Sequence, residues 1–287
     1  MIARPDVTAF FHEPTFSLAY LVVDPATRRG ALIDPVLDYD EKAGRVSTEF
    51  ADGLIAAARE RAVAIDWILD THPHADHFSA AAYLQERLGA RMAIGAEVVA
   101  VQRLWKGIYN LPDFPADGSQ WDRLFADGDT FTIGSLPVRV MHSPGHTLAS
   151  VTYVVGDAAF VHDTLFQPDW GTARCDFPGG SAAALYDSIM AILALPDDTR
   201  LFTGHDYLPN GRAPQWESTV AEQKRSNVHL KDKPSREAFV RMREARDKTL
   251  PMPKLILSAL QVNMRGGRLP ECEANGRSYL KIPLGAL

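Results

Sequence analysis

A run of three histidines and one aspartate within six residues constrains this chain more than any other feature. The run comprises His72, His74, Asp76 and His77, and it follows an apolar, β-favouring stretch at residues 67–69. Imidazole and carboxylate groups are typical ligands of zinc, iron and manganese, and chance composition rarely places so many of them together. In an extended segment His72 and His74 share one face, while the other two fall around the turn. We therefore predict a buried strand whose following loop turns metal ligands inward, in preference to a solvated polar loop.

The same arrangement recurs three times further along the chain. Apolar, strand-like runs at residues 138–141, 158–161 and 200–203 lead into polar groups at residues 142–147, 162–164 and 204–207. In open α/β architectures the carboxyl ends of the strands gather ligands at one edge of the sheet. Four such strand ends predict one site of seven ligand-type groups: His72, His74, Asp76, His77, His146, Asp163 and His205.

Taken in order, these motifs resemble the metal-binding set of the metallo-β-lactamase superfamily. The resemblance rests on Thr71-His72-x-His74-x-Asp76-His77, Ser143-Pro144-Gly145-His146-Thr147, the aspartate in His162-Asp163-Thr164-Leu165-Phe166, and Gly204-His205-Asp206-Tyr207. It extends over roughly residues 16–230 and implies an α/β fold, the four-layer αββα sandwich. Within the superfamily the chain is most similar to the glutathione persulfide dioxygenases, with glyoxalase II as the nearest hydrolytic relative. This narrower resemblance rests on Gly171-Thr172-Ala173-Arg174-Cys175-Asp176-Phe177 and on the His-Asp-Tyr ending.

The resemblance implies an enzyme with one iron ion per chain. The dioxygenases bind a single Fe(II) through the counterparts of His72, His146 and Asp163, and they oxidise glutathione persulfide with O2 to sulfite and glutathione. Two histidines and one carboxylate are the ligand set associated with non-haem Fe(II) oxygenases. The remaining groups then fill a second position, orient ligands or carry protons: His74, Asp76, His77 and His205.

The resemblance also implies the substrate contacts. Glutathione is anionic, and the planar fork of Arg174 suits recognition of a carboxylate. Thr147 is expected to support the same ligand, and Tyr207 to donate a hydrogen bond near the reacting sulfur or oxygen. Asp76 and Tyr207 are the residues expected to act catalytically.

A different metal content predicts a different reaction. Zn(II), or a dinuclear zinc, iron or manganese centre, would polarise a carbonyl and deprotonate a bridging water, which is thiolester hydrolysis of the glyoxalase II kind. A third interpretation, a metal-bound interaction or sensing module, predicts no turnover with either substrate. The intact ligand set gives that third interpretation no support.

Four further residues carry open questions. His162 stands where the family usually has glycine, and its ring either turns away under the sheet or approaches the metal. Cys175 stands where the mitochondrial dioxygenases tend to have threonine, and an inert packing thiol is favoured over one that a persulfide modifies. Asp34 either orients a ligand or serves only as a turn residue before a proline. For His12 we favour a structural role, because no second ligand type accompanies it.

The charge and cysteine content limit the partners. The net charge of −6 argues against nucleic-acid binding, and no apolar run approaches the ~20 residues that a membrane span requires. Only two cysteines occur, without metal-type spacing, so we expect a reducing, cytoplasmic location.

We expect one domain over residues 1–287 with a helical C-terminal extension at about residues 215–287. By analogy with relatives, a homodimer is the expected assembly.

Local patterns predict the segments around the site. Residues 1–14 are predicted to be irregular and residues 34–40 to form a loop. Apolar spacing predicts helices at residues 48–62 and 181–195. Residues 216–227 and 235–248 are predicted to form charged helices that lie on the surface, and the segment from Pro251 is expected to pack on the sheet or on another subunit.

Overall fold

Two six-stranded β-sheets form the centre of the fold. The computed structural model describes residues 4–286. The strands are β1 (Asp6–His12), β2 (Ser17–Asp24), β3 (Arg29–Ile33), β4 (Val36–Asp40), β5 (Arg45–Ser47), β6 (Ala64–Leu69), β7 (Phe78–Ser79), β8 (Arg91–Gly95), β9 (Arg123–Phe125), β10 (Thr130–Ile133), β11 (Leu136–His142), β12 (Val151–Val155), β13 (Ala158–His162), β14 (Arg200–Thr203) and β15 (Glu217–Thr219). The first sheet has the order β1-β2-β3-β6-β8-β9 and the second the order β10-β11-β12-β13-β14-β15, while β5-β4-β7 form a small third sheet.

Seven α-helices cover the outer faces of the two large sheets. They are α1 (Glu49–Glu60), α2 (Ala81–Leu88), α3 (Val98–Ile108), α4 (Ala182–Leu193), α5 (Val220–Ser226), α6 (Arg236–Asp247) and α7 (Ile256–Asn263). Helices α1, α2, α3 and α7 pack on the first sheet, α4 and α5 pack on the second, and α6 packs on α4. None of these described helices is long and apolar enough to cross a membrane.

Strand β2 shows why the layers stack in this way. All eight of its residues are buried, because successive side chains point to opposite faces and both faces are covered. Tyr20 and Val22 face the second sheet, whereas Leu21 and Val23 face the helices on the first. One apolar core therefore lies between the sheets and another lies between each sheet and its helices, which confirms the predicted αββα sandwich.

Three local predictions were wrong. Residues 6–12 form β1 instead of irregular chain, and residues 36–40 form β4 instead of a loop. Strand β1 lies at the edge of its sheet and is mostly half-buried, so it lacks the strong apolar alternation of a core strand. The predicted helix at residues 216–227 begins only at Val220, because Thr219 and Glu222 form a capping box directly after β15. Residues 1–3 lie outside the described part of the chain.

The C-terminal helices are more deeply buried than their composition indicates. Helix α6 has the predicted extent, but Phe239, Arg243 and Asp247 on its inner face are buried instead of solvated. Helix α7 packs on the first sheet, which is one of the two placements predicted for the segment from Pro251. Its residues Ala259 and Val262 are completely buried.

Candidate metal centre

The seven predicted ligands meet at one end of the interface between the two sheets. Strand β6 of the first sheet leads into the loop with four of them, whereas β11, β13 and β14 of the second sheet lead into His146, Asp163 and His205. Six of the seven side chains are buried, and Asp76 is half-buried. The centre therefore depends on strands of both sheets, as the four strand-end motifs predict.

Asp163 lies in the middle of this cluster. Its Oδ2 atom is 3.8 Å from His72 Nε2, 3.5 Å from His146 Nε2 and 3.4 Å from His205 Nε2. His205 Nε2 also lies 3.3 Å from Asp76 Oδ2. Two sets of ligand atoms, each within 4.8 Å of one another, result: His72, His74 and Asp163 in one, and His74, Asp76, His77 and His205 in the other.

The donor atoms of the cluster suit a divalent metal ion. Within the described chain, His72 Nε2, His74 Nδ1, His77 Nε2 and Asp163 Oδ1 are buried without a hydrogen-bond partner. Leaving a buried polar atom unpaired costs about 1–3 kcal/mol, so native structures rarely tolerate several such atoms together. A metal ion bound by these nitrogen and oxygen atoms removes that penalty.

Hydrogen bonds on the far side of each ring fix which nitrogen faces the centre. His146 Nδ1 donates to the Arg174 carbonyl oxygen at 2.8 Å, and His205 Nδ1 donates to a backbone carbonyl at 3.2 Å. The Thr71 hydroxyl donates to Asp34, so it accepts from His72 Nδ1 at 3.1 Å. In all three rings the Nε2 lone pair is thereby left for a metal.

Asp34 holds the histidine loop, which is residues 70–77 between β6 and β7. Its carboxylate accepts hydrogen bonds from the Thr71 amide at 2.7 Å and hydroxyl at 2.8 Å, and it lies 3.1 Å from His74 Nε2. Of the two interpretations of Asp34, the contacts support the one in which it orients a ligand. His12 lies outside the cluster and contacts Asp38 and Thr15 instead, as expected for a structural histidine.

Two histidines and the two carboxylates of the cluster already have the charges that metal ligands require. Burial lowers the pKa of His72 and His146, so both rings are neutral near pH 7. Burial opposes ionisation of Asp76 and Asp163, but the neighbouring His205 outweighs it and holds the pKa of both carboxyls below the usual range. These four groups therefore bind metal without first losing a proton. Burial opposes protonation of His74 and His205, but the neighbouring carboxylates outweigh it and raise the pKa of both rings, so these two histidines release a proton when they bind metal.

His162 occupies a backbone conformation that favours glycine. Its φ is 40°, and the register of β13 shifts just before it, which turns the following Asp163 toward the centre. The ring Nε2 lies 3.0 Å from the hydroxyls of Ser143 and Thr164. The contacts therefore support the interpretation in which the ring turns away from the metal.

Gly204 allows the close approach of β14 to Asp163. A Cβ atom at this position would lie 2.5 Å from Asp163 Oδ1. We expect Gly204→Ala to displace the carboxylate and to weaken metal binding about 10-fold or more, as disturbance of ligand orientation does. Competition with a chromophoric chelator measures the affinity. Gly53→Ala is the control, because a Cβ there meets open space; equal affinities of the two variants would contradict the prediction.

A cavity of about 940 Å³ opens onto the centre. Its lining includes Asp76, His146 and Asp163 at the centre and Arg174 and Tyr207 beside it. The volume is that of a small-molecule site. The geometry thus leaves the metal cluster accessible to a substrate of moderate size.

The three predicted substrate contacts differ in their placement. The Tyr207 ring stacks on His205, with 5.4 Å between centroids. The Arg174 guanidinium lines the cavity but already donates to Asp176 and to a backbone carbonyl. Thr147 does not line the cavity, because its hydroxyl turns to Ser150 at 2.8 Å. Its role as a substrate contact receives no support from this geometry.

Cys175 is an inert thiol in this environment. It is buried, its Sγ donates to Asp247 at 3.3 Å, and burial raises its pKa to about 12. The thiolate is the reactive form, so at pH 8 we expect a thiol reagent to label only the exposed Cys272 in the native chain, and two thiols after denaturation. Fast labelling of Cys175 in the folded protein would contradict this expectation.

Some contacts of the centre have no local signal in the sequence. The Ser17 hydroxyl lies 3.1 Å from His77 Nδ1 and donates to Asp76 at 3.3 Å. Phe177 packs edge-on against the His146 ring. Ser17 reaches the site only through tertiary folding. Phe177 ends the segment 171–177 singled out in the sequence, but that segment does not predict its contact with His146.

Comparison with known proteins adds the family context. The family model of the Metallo-beta-lactamase superfamily matches residues 12–205. A "Beta-lactamase hydrolase-like protein" of Xylella fastidiosa is 65% identical over 100% of this chain, and the chain spans 66% of that relative's length. A "Probable metallo-hydrolase" of Burkholderia pseudomallei is 53% identical to this chain. The match covers 98% of this chain and 99% of that relative.

Two proteins with lower sequence identity bear the name of a different enzyme. The human mitochondrial "Persulfide dioxygenase ETHE1" is 31% identical over 90% of this chain and 87% of its own length. The crystal structure of ETHE1 from Myxococcus xanthus superposes with a TM-score of 0.73 at 32% identity, over 92% of this chain and 100% of that one. The two relatives with 65% and 53% identity thus have hydrolase-type names, whereas near 30% identity both a dioxygenase name and a hydrolase name occur.

Proposed function

The chain belongs to the metallo-β-lactamase superfamily, and from that premise we propose that it is an iron-dependent persulfide dioxygenase. The proposed reaction consumes glutathione persulfide, O2 and water and yields glutathione, sulfite and two protons. The terminal sulfur of the persulfide is oxidised and O2 is reduced. The sulfur–sulfur bond breaks when water attacks the oxidised sulfur. The similarity to persulfide dioxygenases over most of the chain supports this reaction.

One observation carries the proposal. The Nε2 atoms of His72 and His146 both face Oδ2 of Asp163, at 3.8 and 3.5 Å, and His146 and Asp163 border the cavity. Two histidines and one carboxylate with open positions beside them form the ligand set of non-haem Fe(II) oxygenases. Bound there, Fe(II) would pass electrons from the terminal sulfur to O2.

The walls of the cavity suit a carrier thiol with charges of both signs. Its lining includes basic side chains and acidic side chains, namely Lys42, Arg45, Arg174, Arg246 and Lys254 with Asp38, Asp40, Glu41 and Glu49. Glutathione has two carboxylates and one ammonium group near neutral pH. Three of the five N–H groups of Arg174 are engaged, which leaves the others for a substrate carboxylate. Tyr207 and Asp76, at the cavity end nearest the ligands, are the proposed groups for proton movement.

Oxygen uptake tests the proposal directly. The protein is reconstituted anaerobically with one equivalent of Fe(II) and given glutathione persulfide, and O2 consumption, sulfite and metal content are measured on the same sample. We expect O2 uptake with equimolar sulfite at one iron per chain. No uptake by the iron-loaded protein would contradict the proposal.

Thiolester hydrolysis is the second candidate. The close grouping of His74, Asp76, His77 and His205 favours it, because these residues offer a second metal position. The hydrolase-type name of the relative at 53% identity also favours it. Two metal ions per chain together with cleavage of S-lactoylglutathione would establish this candidate in place of the first.

The variant His205→Ala distinguishes the two candidates. His205 Nε2 lies 3.3 Å from Asp76 and 3.4 Å from Asp163, so in a dinuclear centre it binds the second metal. For the dioxygenase we expect the variant to retain its single iron after desalting. Loss of one of two metal ions per chain, measured by elemental analysis, would instead support the hydrolase.

A further inference from the structure

We propose that Asn263, the last residue of α7, is a positioning residue that holds the histidine loop in its metal-binding conformation. Its side-chain Nδ2 donates to the backbone carbonyls of His74 and His77, each at 2.7 Å. Its Oδ1 accepts from the backbone amide of Ser79 at 2.8 Å. Both donors of this amide thereby hold the histidine loop, and its acceptor holds β7 directly after the loop.

The chemistry of the contact explains why the residue is an asparagine. Two carbonyl oxygens and one amide face the same point, and only a carboxamide presents two donors and one acceptor at this size. The side chain is 2% exposed, so water does not replace these bonds. A carboxylate of the same shape would place an oxygen against two carbonyl oxygens. Position 263 therefore requires a side-chain amide.

Helix α7 provides a rigid base for this contact. Val262 and Met264, on either side of Asn263, are completely buried. Gln102 of α3 donates to the Met264 carbonyl at 2.9 Å, and the Tyr109 hydroxyl donates to the Leu257 carbonyl at 3.0 Å. Because the helix is fixed at both ends by the core, it transmits its position to the loop.

The contact links the centre to a part of the chain outside the family match. That match ends at residue 205, and Asn263 lies 186 residues beyond His77 in sequence. The C-terminal helix is therefore an integral part of the metal centre. This inference concerns the histidine loop itself and holds for either candidate reaction.

Metal affinity of the full chain tests the inference. In Asn263→Asp the shape is kept and both donors are lost, so we expect Zn²⁺ affinity, measured by competition with a chromophoric chelator, to fall about 10–100-fold, the range for residues that orient ligands. Anaerobic titration with Fe²⁺ is expected to show the same loss. Both measurements are independent of turnover, so a wrong assignment of the reaction does not affect them.

Gln261→Glu is the matched control. Gln261 lies on the same helix, is 2% exposed, and its amide donates to Leu257 and Lys281 at 2.7 Å without contacting the histidine loop. We expect this variant to lose stability and to keep its metal affinity within about twofold. If Asn263→Asp does not fold, Asn263→Ala removes the bonds without adding charge, and the rise of its Tm on Zn²⁺ addition is compared with that of the control. Wild-type affinity after loss of the amide, or an equal loss in Gln261→Glu, would overturn the inference.

Discussion

Replacement of Asp163 by asparagine is expected to abolish both metal retention and turnover. The carboxylate lies within 3.8 Å of the Nε2 atoms of His72, His146 and His205, so it contributes the central negative charge of the cluster. Altering a residue that only orients a ligand costs 10–100-fold in affinity, and loss of this charge should cost more than about 100-fold. Metal content after desalting and O2 uptake with glutathione persulfide measure the two effects.

The control for this variant is a carboxylate far from the centre. Asp187 pairs with Arg236 on the surface, and Asp187→Asn removes the same charge there. We expect this control to retain metal and activity. A fully loaded Asp163→Asn protein with turnover within about tenfold of wild type would show that the carboxylate is not a metal ligand.

The variant Arg243→Met is expected to lower the free energy of unfolding by about 3–5 kcal/mol, the cost of leaving one partner of a buried ion pair uncompensated. The side chains of Arg243 and Asp247 are 1% and 2% exposed, and they pair within α6. Arg243 also donates to the Thr172 carbonyl at 3.0 Å, while Asp247 accepts from the Cys175 amide at 2.9 Å. The pair therefore fixes the segment whose Arg174 carbonyl orients His146.

Urea unfolding of three variants measures this effect. Arg236→Met breaks an exposed pair, with side chains 47% and 57% exposed, and is expected to leave the stability nearly unchanged because solvent screens the pair. Changing both partners, Arg243→Met with Asp247→Leu, is expected to recover part of the loss because no unpaired charge remains buried. A cost of Arg243→Met no larger than that of Arg236→Met would contradict the prediction.

The grouping of the candidate ligands can be predicted from the sequence because each of them lies close to the end of a strand. His72 comes three residues after the end of β6, and Asp163 follows β13 directly. An apolar strand and the polar residues after it are adjacent in the chain, so one short window contains both. The layered fold follows from the same alternation of strands and amphipathic helices.

The residues that hold the candidate ligands in place cannot be predicted from such short windows. Asn263 and Ser17 contact the histidine loop across 186 and 60 residues of chain. The buried charges of α6 have the composition of a solvated face, and only the tertiary structure shows that Arg243 and Asp247 neutralise each other. Edge strand β1 lacks a fully buried face, so its pattern resembles that of irregular chain.

The contact between Asn263 and the histidine loop forms late in biosynthesis, because Asn263 is made long after the loop. A ribosome makes His77 186 residues before Asn263, an interval of roughly 10–40 s at about 5–20 residues per second. Throughout that time the loop lacks the Asn263 amide, whereas the ligands from the second sheet are added in turn, His205 being the last of them. Full metal affinity is therefore expected only after the last helix has docked. A chain that stops short of α7 is expected to bind metal at least about 10-fold more weakly, so metal affinity would report whether folding is complete.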